Sequence, residues 1–167
     1  AFRLNPDILC LQETKAEPSQ LTPEILSPAG YTSYFSSSKV KKGYSGVAIY
    51  TKVVPDKVTY GIGMPGDDDE GRTVTAHYKD FILINCYFPN GGGAPERLTY
   101  KLEFYDAFLK YINKLKKAGK KIIFTGDVNV AHTEIDIARP KENETHVGFL
   151  PVEREWVDEV IADGYSD

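Results

Sequence analysis

Apolar residues recur along this chain in two rhythms, and each predicts a different element. Ile8 to Gln12 is a short, nearly continuous apolar run that follows the breaker Asn5-Pro6 and ends at charge, the pattern of a buried strand. Tyr31 to Ser36, Val47 to Lys52 and Val53 to Ile62 also read as strands, separated by Gly43, Gly46 and Pro55. Arg72 to Tyr78 alternates polar and apolar, Lys79-Asp80 can turn, and Phe81 to Phe88 is more continuously apolar, which predicts a hairpin with one partly wet strand. Lys121 to Phe124 is a further strand that stops at Gly126 and presents Asp127 and Asn129. The second rhythm is helical. Leu98, Leu102, Tyr105, Leu109, Ile112 and Leu115 recur at spacings of three and four, Gly119 supplies the stop, and Lys114, Lys116 and Lys117 complement the dipole of the last turns. A short helix is expected over Pro18 to Leu26, with Ser19 or Thr22 as cap. A second, over Glu153 to Ala162, should bury Trp156, Val157, Val160 and Ile161. Asp67 to Gly71 reads as a solvated turn, and the polar stretch from Val130 to Pro151 is long enough to carry function.

Antiparallel strand runs interrupted by a few helices predict an α/β layered sandwich over a doubly wound parallel sheet. At 167 residues, 41% of them hydrophobic, the chain can bury one sizeable core, so residues 1–167 read as one domain. Both ends read as cut. Ala1-Phe2-Arg3-Leu4 resembles the end of an amphipathic helix, and Gly164 to Asp167 follows a helix stop, where a further strand would start. Twenty basic against twenty-four acidic residues give a net charge of -4, which argues against coating nucleic acid by bulk positive charge but permits a local basic groove. Cys10 and Cys86 lie in apolar runs without zinc spacing or the density of a disulfide scaffold, and read as two buried thiols in a reducing compartment. No stretch has transmembrane length and no signal-peptide pattern opens the chain, so the expectation is a soluble intracellular protein that does not engage membranes.

The chemistry gathers at strand ends. Glu13 closes one apolar run with Lys15 two residues on, and Asp127 closes another; two such ends could meet at one sheet edge. A lone Glu13 near Asp127 suits magnesium, a hard cation that takes one or two carboxylates, keeps several waters and accepts phosphate oxygens. His77, His132 and His146 show no ligand spacing, which disfavours zinc. Asp127 can orient or deprotonate a water, or protonate a leaving oxygen, and Asn129 can hold the nucleophile or a phosphate oxygen. Tyr87 and Asn90 end a further strand before a glycine loop, and both can donate to phosphate; a core tyrosine before an ordinary Pro-Asn-Gly turn is the plainer reading. Tyr44, within Gly43 to Gly46, and Arg72 are each either turn and surface residues or residues along a DNA strand.

These residues fall in stretches that resemble exodeoxyribonuclease III and the class II apurinic/apyrimidinic endonucleases, of the endonuclease/exonuclease/phosphatase superfamily. The matching stretches are LQETK (11–15), GYSGVAIYTK (43–52), EGR (70–72), NCYFPNG (85–91), RLTYKLEFYDAF (97–108), GDVNVAH (126–132), EIDIARPKENET (134–145) and GF (148–149), in family order. The resemblance implies a four-layer, DNase I-like α/β sandwich and Mg²⁺-dependent hydrolysis, with Mn²⁺ able to substitute, of the DNA backbone 5′ to abasic sites, together with 3′-5′ exonuclease trimming. It implies double-stranded abasic DNA as partner, a monomer when complete, and a cytoplasmic location in a prokaryote or a nuclear one in a eukaryote. Carried over by position, Glu13 is the metal ligand, Asp127 the acid/base residue with Asn129 beside it, and Tyr87 and Asn90 contact the scissile phosphate region. Lys15 supports Glu13, while Tyr44, Arg72 and Asn143 fall where relatives touch DNA. His132 takes a structural role, and Gly93 and His146 stand where some relatives place an arginine and an asparagine. The family's first strand, its G-W-R-x-D-Y segment and its terminal S-D-H have no counterpart here, so the chain reads as the amino-side and central portion of such an enzyme, with negligible cleavage expected of it alone. The rival readings are a superfamily phosphatase acting on a lipid or sugar phosphate, and a non-catalytic nucleic-acid-binding fragment.

Overall fold

The computed structural model of the chain describes residues 2–64 and 67–166, so Ala1 and Asp167 of the two terminal readings lie outside the described residues. The fold is described as two compact units, residues 1–87 with 111–127 and residues 88–110 with 128–167. The strands are β1 (Ile8–Gln12), β2 (Thr32–Ser36), β3 (Val47–Thr51), β4 (Lys57–Tyr60), β5 (Thr73–His77), β6 (Ile82–Tyr87) and β7 (Ile122–Asp127). The helices are α1 (Pro23–Leu26), α2 (Asp67–Glu70), α3 (Pro95–Lys117), α4 (Pro140–Asn143) and α5 (Pro151–Ala162), with 3-10 turns at Phe2–Leu4, Pro18–Gln20 and Glu134–Asp136. No helix among the described residues is long and apolar enough to cross a membrane.

Among the described residues the strands all belong to the first unit, where they form two sheets, ordered β1-β3-β2 and β4-β5-β6-β7. Every pairing is antiparallel except β6 with β7, which is parallel because α3 carries the chain back before β7 begins. Val47 and Ile49 of one sheet pack against Val74, Ala76, Leu83 and Tyr87 of the other. Asn85 pins that stack. It is fully buried, gives its amide to the carbonyls of Leu11 and Ala48 at 3.0 Å each, and accepts Gln12 Nε2 at 2.6 Å. Leu11 and Ala48 face each other across β1 and β3, so this one side chain of β6 grips a rung of the opposite sheet. Such an amide is costly to bury unless satisfied. Satisfied, it fixes where β1 ends, and therefore where Glu13 stands.

Five sequence expectations change here. β5 is not half wet: Thr73, Val74, Thr75 and Ala76 are all fully buried, with the Thr75 hydroxyl on Tyr111 OH (3.0 Å) and that of Thr73 against Cys86 Sγ (3.5 Å). Pro18 to Leu26 is no single helix, because Pro23 cannot continue a helix from Gln20 and instead opens α1 with Thr22 as cap. Val53 to Ile62 shrinks to β4, leaving Val53 and Val54 exposed beside Pro55. The acidic run is the single-turn helix α2. Of the thiols, both free, Cys86 is buried and Cys10 only half-buried; burial still pushes the Cys10 thiol up to about 11.

In the second unit the Phe88 ring meets Phe104, Tyr105, Phe108 and Trp156, and Trp156 stacks on Tyr105 with centroids 4.2 Å apart. The buried stripe of α3 runs through Lys101, Phe104, Tyr105, Phe108 and Ile112, while Leu98, Leu102, Leu109 and Leu115 flank it half-buried. A lysine sits in the stripe, which is why apolar periodicity alone places the face slightly off. Along α5, Glu153, Trp156 and Val160 are buried, Val157 is half-buried, and Ile161 is 46% exposed, against expectation.

Candidate active site

β1 ends at Gln12, and the next residues leave extended geometry at once: Glu13 and Lys15 both have φ 50, the left-handed region that costs a side-chain-bearing residue about 1–2 kcal/mol. The strain is held by a brace. Thr14 N donates to Gly46 O (3.1 Å) and Lys15 N to Ser45 O (2.9 Å), and a Cβ on Gly46 would lie 2.4 Å from Thr14 Oγ1. The Gly43 to Gly46 segment therefore sets the backbone that carries Glu13. Strain of this kind, over-determined by its surroundings, collects at functional sites.

The Glu13 carboxylate receives Lys15 Nζ at 2.5 Å on one oxygen and the Tyr87 hydroxyl on the other. Lys15 first, then Tyr87, hold it below the usual carboxylate range. Burial, reinforced by the bond to Glu13, pushes the Tyr87 phenol up to about 12, so Tyr87 keeps its proton and stays a donor at neutral pH. Tyr87 ends β6 and is the register partner of Asp127, which ends β7. Gly126, φ +150, makes that register feasible: a Cβ there would lie 1.7 Å from Cys86 O. Glu13, Tyr87 and Asp127 thus stand at one end of the stacked sheets.

Arg72 is a correction. A place along DNA requires an accessible cation, yet its side chain is 1% exposed. It bonds Glu70 Oε2 (2.6 Å), Tyr87 O (2.9 Å) and Tyr44 OH (2.9 Å), with the guanidinium 5.0 Å from the Tyr87 ring centre. It is a buried fork that orients Tyr44 and Tyr87, and its partner Glu70 comes from the run read as a mere solvated turn. The surface cations nearby are different ones: Lys15, Lys41 and Lys42 line a shallow groove with Ser37, Ser38 and Tyr44.

In the second unit, Asn90 Nδ2 donates to Asn129 Oδ1 (3.1 Å), and Asn129 Nδ2 to Phe88 O (2.9 Å). Asn129 is also left-handed, φ 55. Asn143 turns its amide onto its own loop, to Ala138 O and Arg139 O at 3.0 Å each. His132 Nε2 lies 2.7 Å from Asp158 Oδ1. Sequence reasoning missed Lys101 and Glu153, both wholly buried and paired with each other.

The donor set tests which metal could fit. Among the described residues no three of His, Cys, Asp and Glu gather. Zinc, which wants four such ligands or three and a water, does not fit. A hard cation that takes the Glu13 carboxylate and fills its sphere with water and phosphate does.

At this end of the α/β fold two carboxylates and a phenol close neighbouring strands, a donor set that can engage a hard cation and phosphate oxygens. Consistent with this, the chain belongs to the Endonuclease/Exonuclease/phosphatase family, whose pattern it matches over residues 2–163. It is 42% identical over 165 residues to a DNA-(apurinic or apyrimidinic site) endonuclease of Dictyostelium discoideum, covering 98% of this chain and 45% of that one. To an exodeoxyribonuclease of Bacillus subtilis (strain 168) it is 40% identical over 161 residues, 96% of this chain and 62% of the other. The structure of an AP endonuclease from Archaeoglobus fulgidus superposes with a TM-score of 0.88 at 32% identity, over 99% of this chain and 64% of that one. The chain spans roughly half the length of the curated relatives it matches.

Proposed function

We propose that the protein is a DNA-repair nuclease that hydrolyses the phosphodiester backbone on the 5′ side of abasic sites, with 3′-end trimming as a second activity. The observation that carries the reading is the Glu13–Tyr87 hydrogen bond with Asp127 in register beside Tyr87. The AP endonuclease and exodeoxyribonuclease activities named for the relatives agree with it. Glu13, kept ionised by Lys15 and Tyr87, is the group that would hold Mg²⁺, which when bound neutralises charge on the phosphate oxygens.

In the reaction a water oxygen bonds to phosphorus as the P–O3′ bond breaks, leaving a 3′-hydroxyl and a 5′-phosphate on the abasic sugar. Asp127 is the residue of this chain placed to move a proton, either from the attacking water or to the departing 3′ oxygen. Tyr87, fixed by Arg72 and protonated at neutral pH, orients Glu13. Asn90 and Asn129 are assigned to holding phosphate oxygens, and Tyr44 and Lys15 to the DNA backbone.

The test is cleavage of a duplex with one abasic site by the natural full-length protein, in Mg²⁺ and then in EDTA. Metal-dependent incision 5′ to the lesion is expected. Release of phosphate from a lipid or sugar ester with no incision would replace this reading with that of a phosphatase.

A further inference from the structure

Of the groups the reaction leaves unused, the buried Lys101–Glu153 pair is the most elaborately partnered. Both side chains are wholly inaccessible. The Lys101 ammonium donates to Glu153 Oε1, to Asn129 O at 2.7 Å and to Asn90 O at 3.2 Å, while Glu153 Oε2 accepts Gly148 N (2.7 Å) and Leu150 N (3.0 Å). A buried ion pair is a poor device for stability, since desolvation commonly offsets its attraction. Its partners indicate a different use. The two carbonyls it gathers belong to Asn90 and Asn129, the residues whose side-chain amides bond each other. One turn along α3, Tyr105 OH takes Val128 O at 2.9 Å, so a single helix face collects three carbonyls around these amides. Gly91, φ +80, passes so close over the lysine stem that a Cβ would lie 2.8 Å from Lys101 Cδ. Asn129 is held left-handed at φ 55 with its carbonyl on the ammonium.

We propose that Lys101 and Glu153 form a buried clasp that sets the Asn90–Asn129 amide pair, and so are positioning residues for the phosphodiester hydrolysis. The inference rests on the reading of Asn90 and Asn129 as phosphate-handling. The ammonium fixes the backbone at both asparagines, and Glu153 fixes the ammonium while anchoring the start of α5.

Two variants test it. Lys101→Met/Glu153→Gln removes both charges together, leaves no unpaired buried ion, and keeps an acceptor for Gly148 and Leu150. Lys101→Arg keeps the charge opposite Glu153 but moves the donors. Both are read by the side-chain amide resonances of Asn90 and Asn129, which require no activity. In variants that melt within a few degrees of the parent, both resonances should move and exchange about fivefold faster, as for the loss of one ordinary hydrogen bond. Resonances that stay put overturn the clasp. On abasic duplex, kcat should fall about 100-fold, the cost of a misplacement near 1 Å, with KM within about twofold. A lowered melting temperature with kcat intact also overturns it, since that is all a purely structural pair would produce. A parent protein that leaves abasic duplex uncut defeats the functional reading instead, and the amide resonances still decide the clasp.

Discussion

Replacing Asn85 with alanine removes one buried amide and three hydrogen bonds, to Leu11 O, Ala48 O and Gln12 Nε2. At about 1 kcal/mol net per bond the loss is about 3 kcal/mol. Gln12 is only half-buried and can turn to water, so its share is the smallest and about 2–3 kcal/mol is expected overall. For a chain of this length that corresponds to a melting temperature lower by roughly 5–10 °C. Urea titration should report the same loss with little change in slope, because the packed surface is otherwise retained. The damage should also reach the site. Asn85 holds β1 at Leu11 and Gln12, directly before the strained Glu13, so abasic-site incision by the variant should fall even where it is fully folded. Asn85→Asp should be worse than Asn85→Ala, since it places a carboxylate against two carbonyl oxygens. A stability loss below about 1 kcal/mol for Asn85→Ala would show that the two sheets do not depend on this bond set.

Asp127→Asn should lower kcat on abasic duplex by about 10²–10⁴-fold while leaving DNA affinity within a few-fold, because it removes a proton-transfer group and keeps its shape; cleavage at the parental rate would refute the assigned role. Glu13 is held low, so whatever its ionisation contributes is present above the ordinary carboxylate value and lost as pH falls through the lowered one. Lys15→Ala removes the leading cause, and a carbon-detected titration of Glu13 should find the midpoint moved to higher pH; an unmoved midpoint would sink the assignment. DNA affinity should fall with salt despite the net charge of -4, and Lys41→Ala/Lys42→Ala should flatten the log–log slope by about 2. Arg72→Leu, at a buried position, should leave that slope unchanged while misplacing Tyr44 and Tyr87, and a changed slope would mean that Arg72 does reach phosphate.

How far the sequence could be read depended on which residues obey the usual link between polarity and exposure. Glu13 and Asp127 stood out because each breaks an apolar strand at its end, and those are the ends the two sheets bring together. Tyr87, Asn90 and Asn129 followed from the same logic of strand ends. Arg72, Lys101 and Glu153 did not, because a charged residue near a turn or on a helix is ordinarily solvated, and only the fold shows the carbonyls and hydroxyls that satisfy them. The parallel partnership of β6 and β7 was equally hidden. Alternation shows which face of a strand is buried, whereas direction depends on the path of the connecting helix.

The clearance at Gly126 has a consequence for anyone mapping this protein by saturation mutagenesis. Scored by activity alone, Gly126 and Asp127 should be equally intolerant, and the pair would be taken for one catalytic signature. Scored by abundance in the cell they should separate: most substitutions of the exposed Asp127 leave the protein level intact, whereas any side chain at Gly126 meets the Cys86 carbonyl and depletes it. Adjacent columns in such a map would then record different constraints, one from proton transfer and one from the distance between two strands.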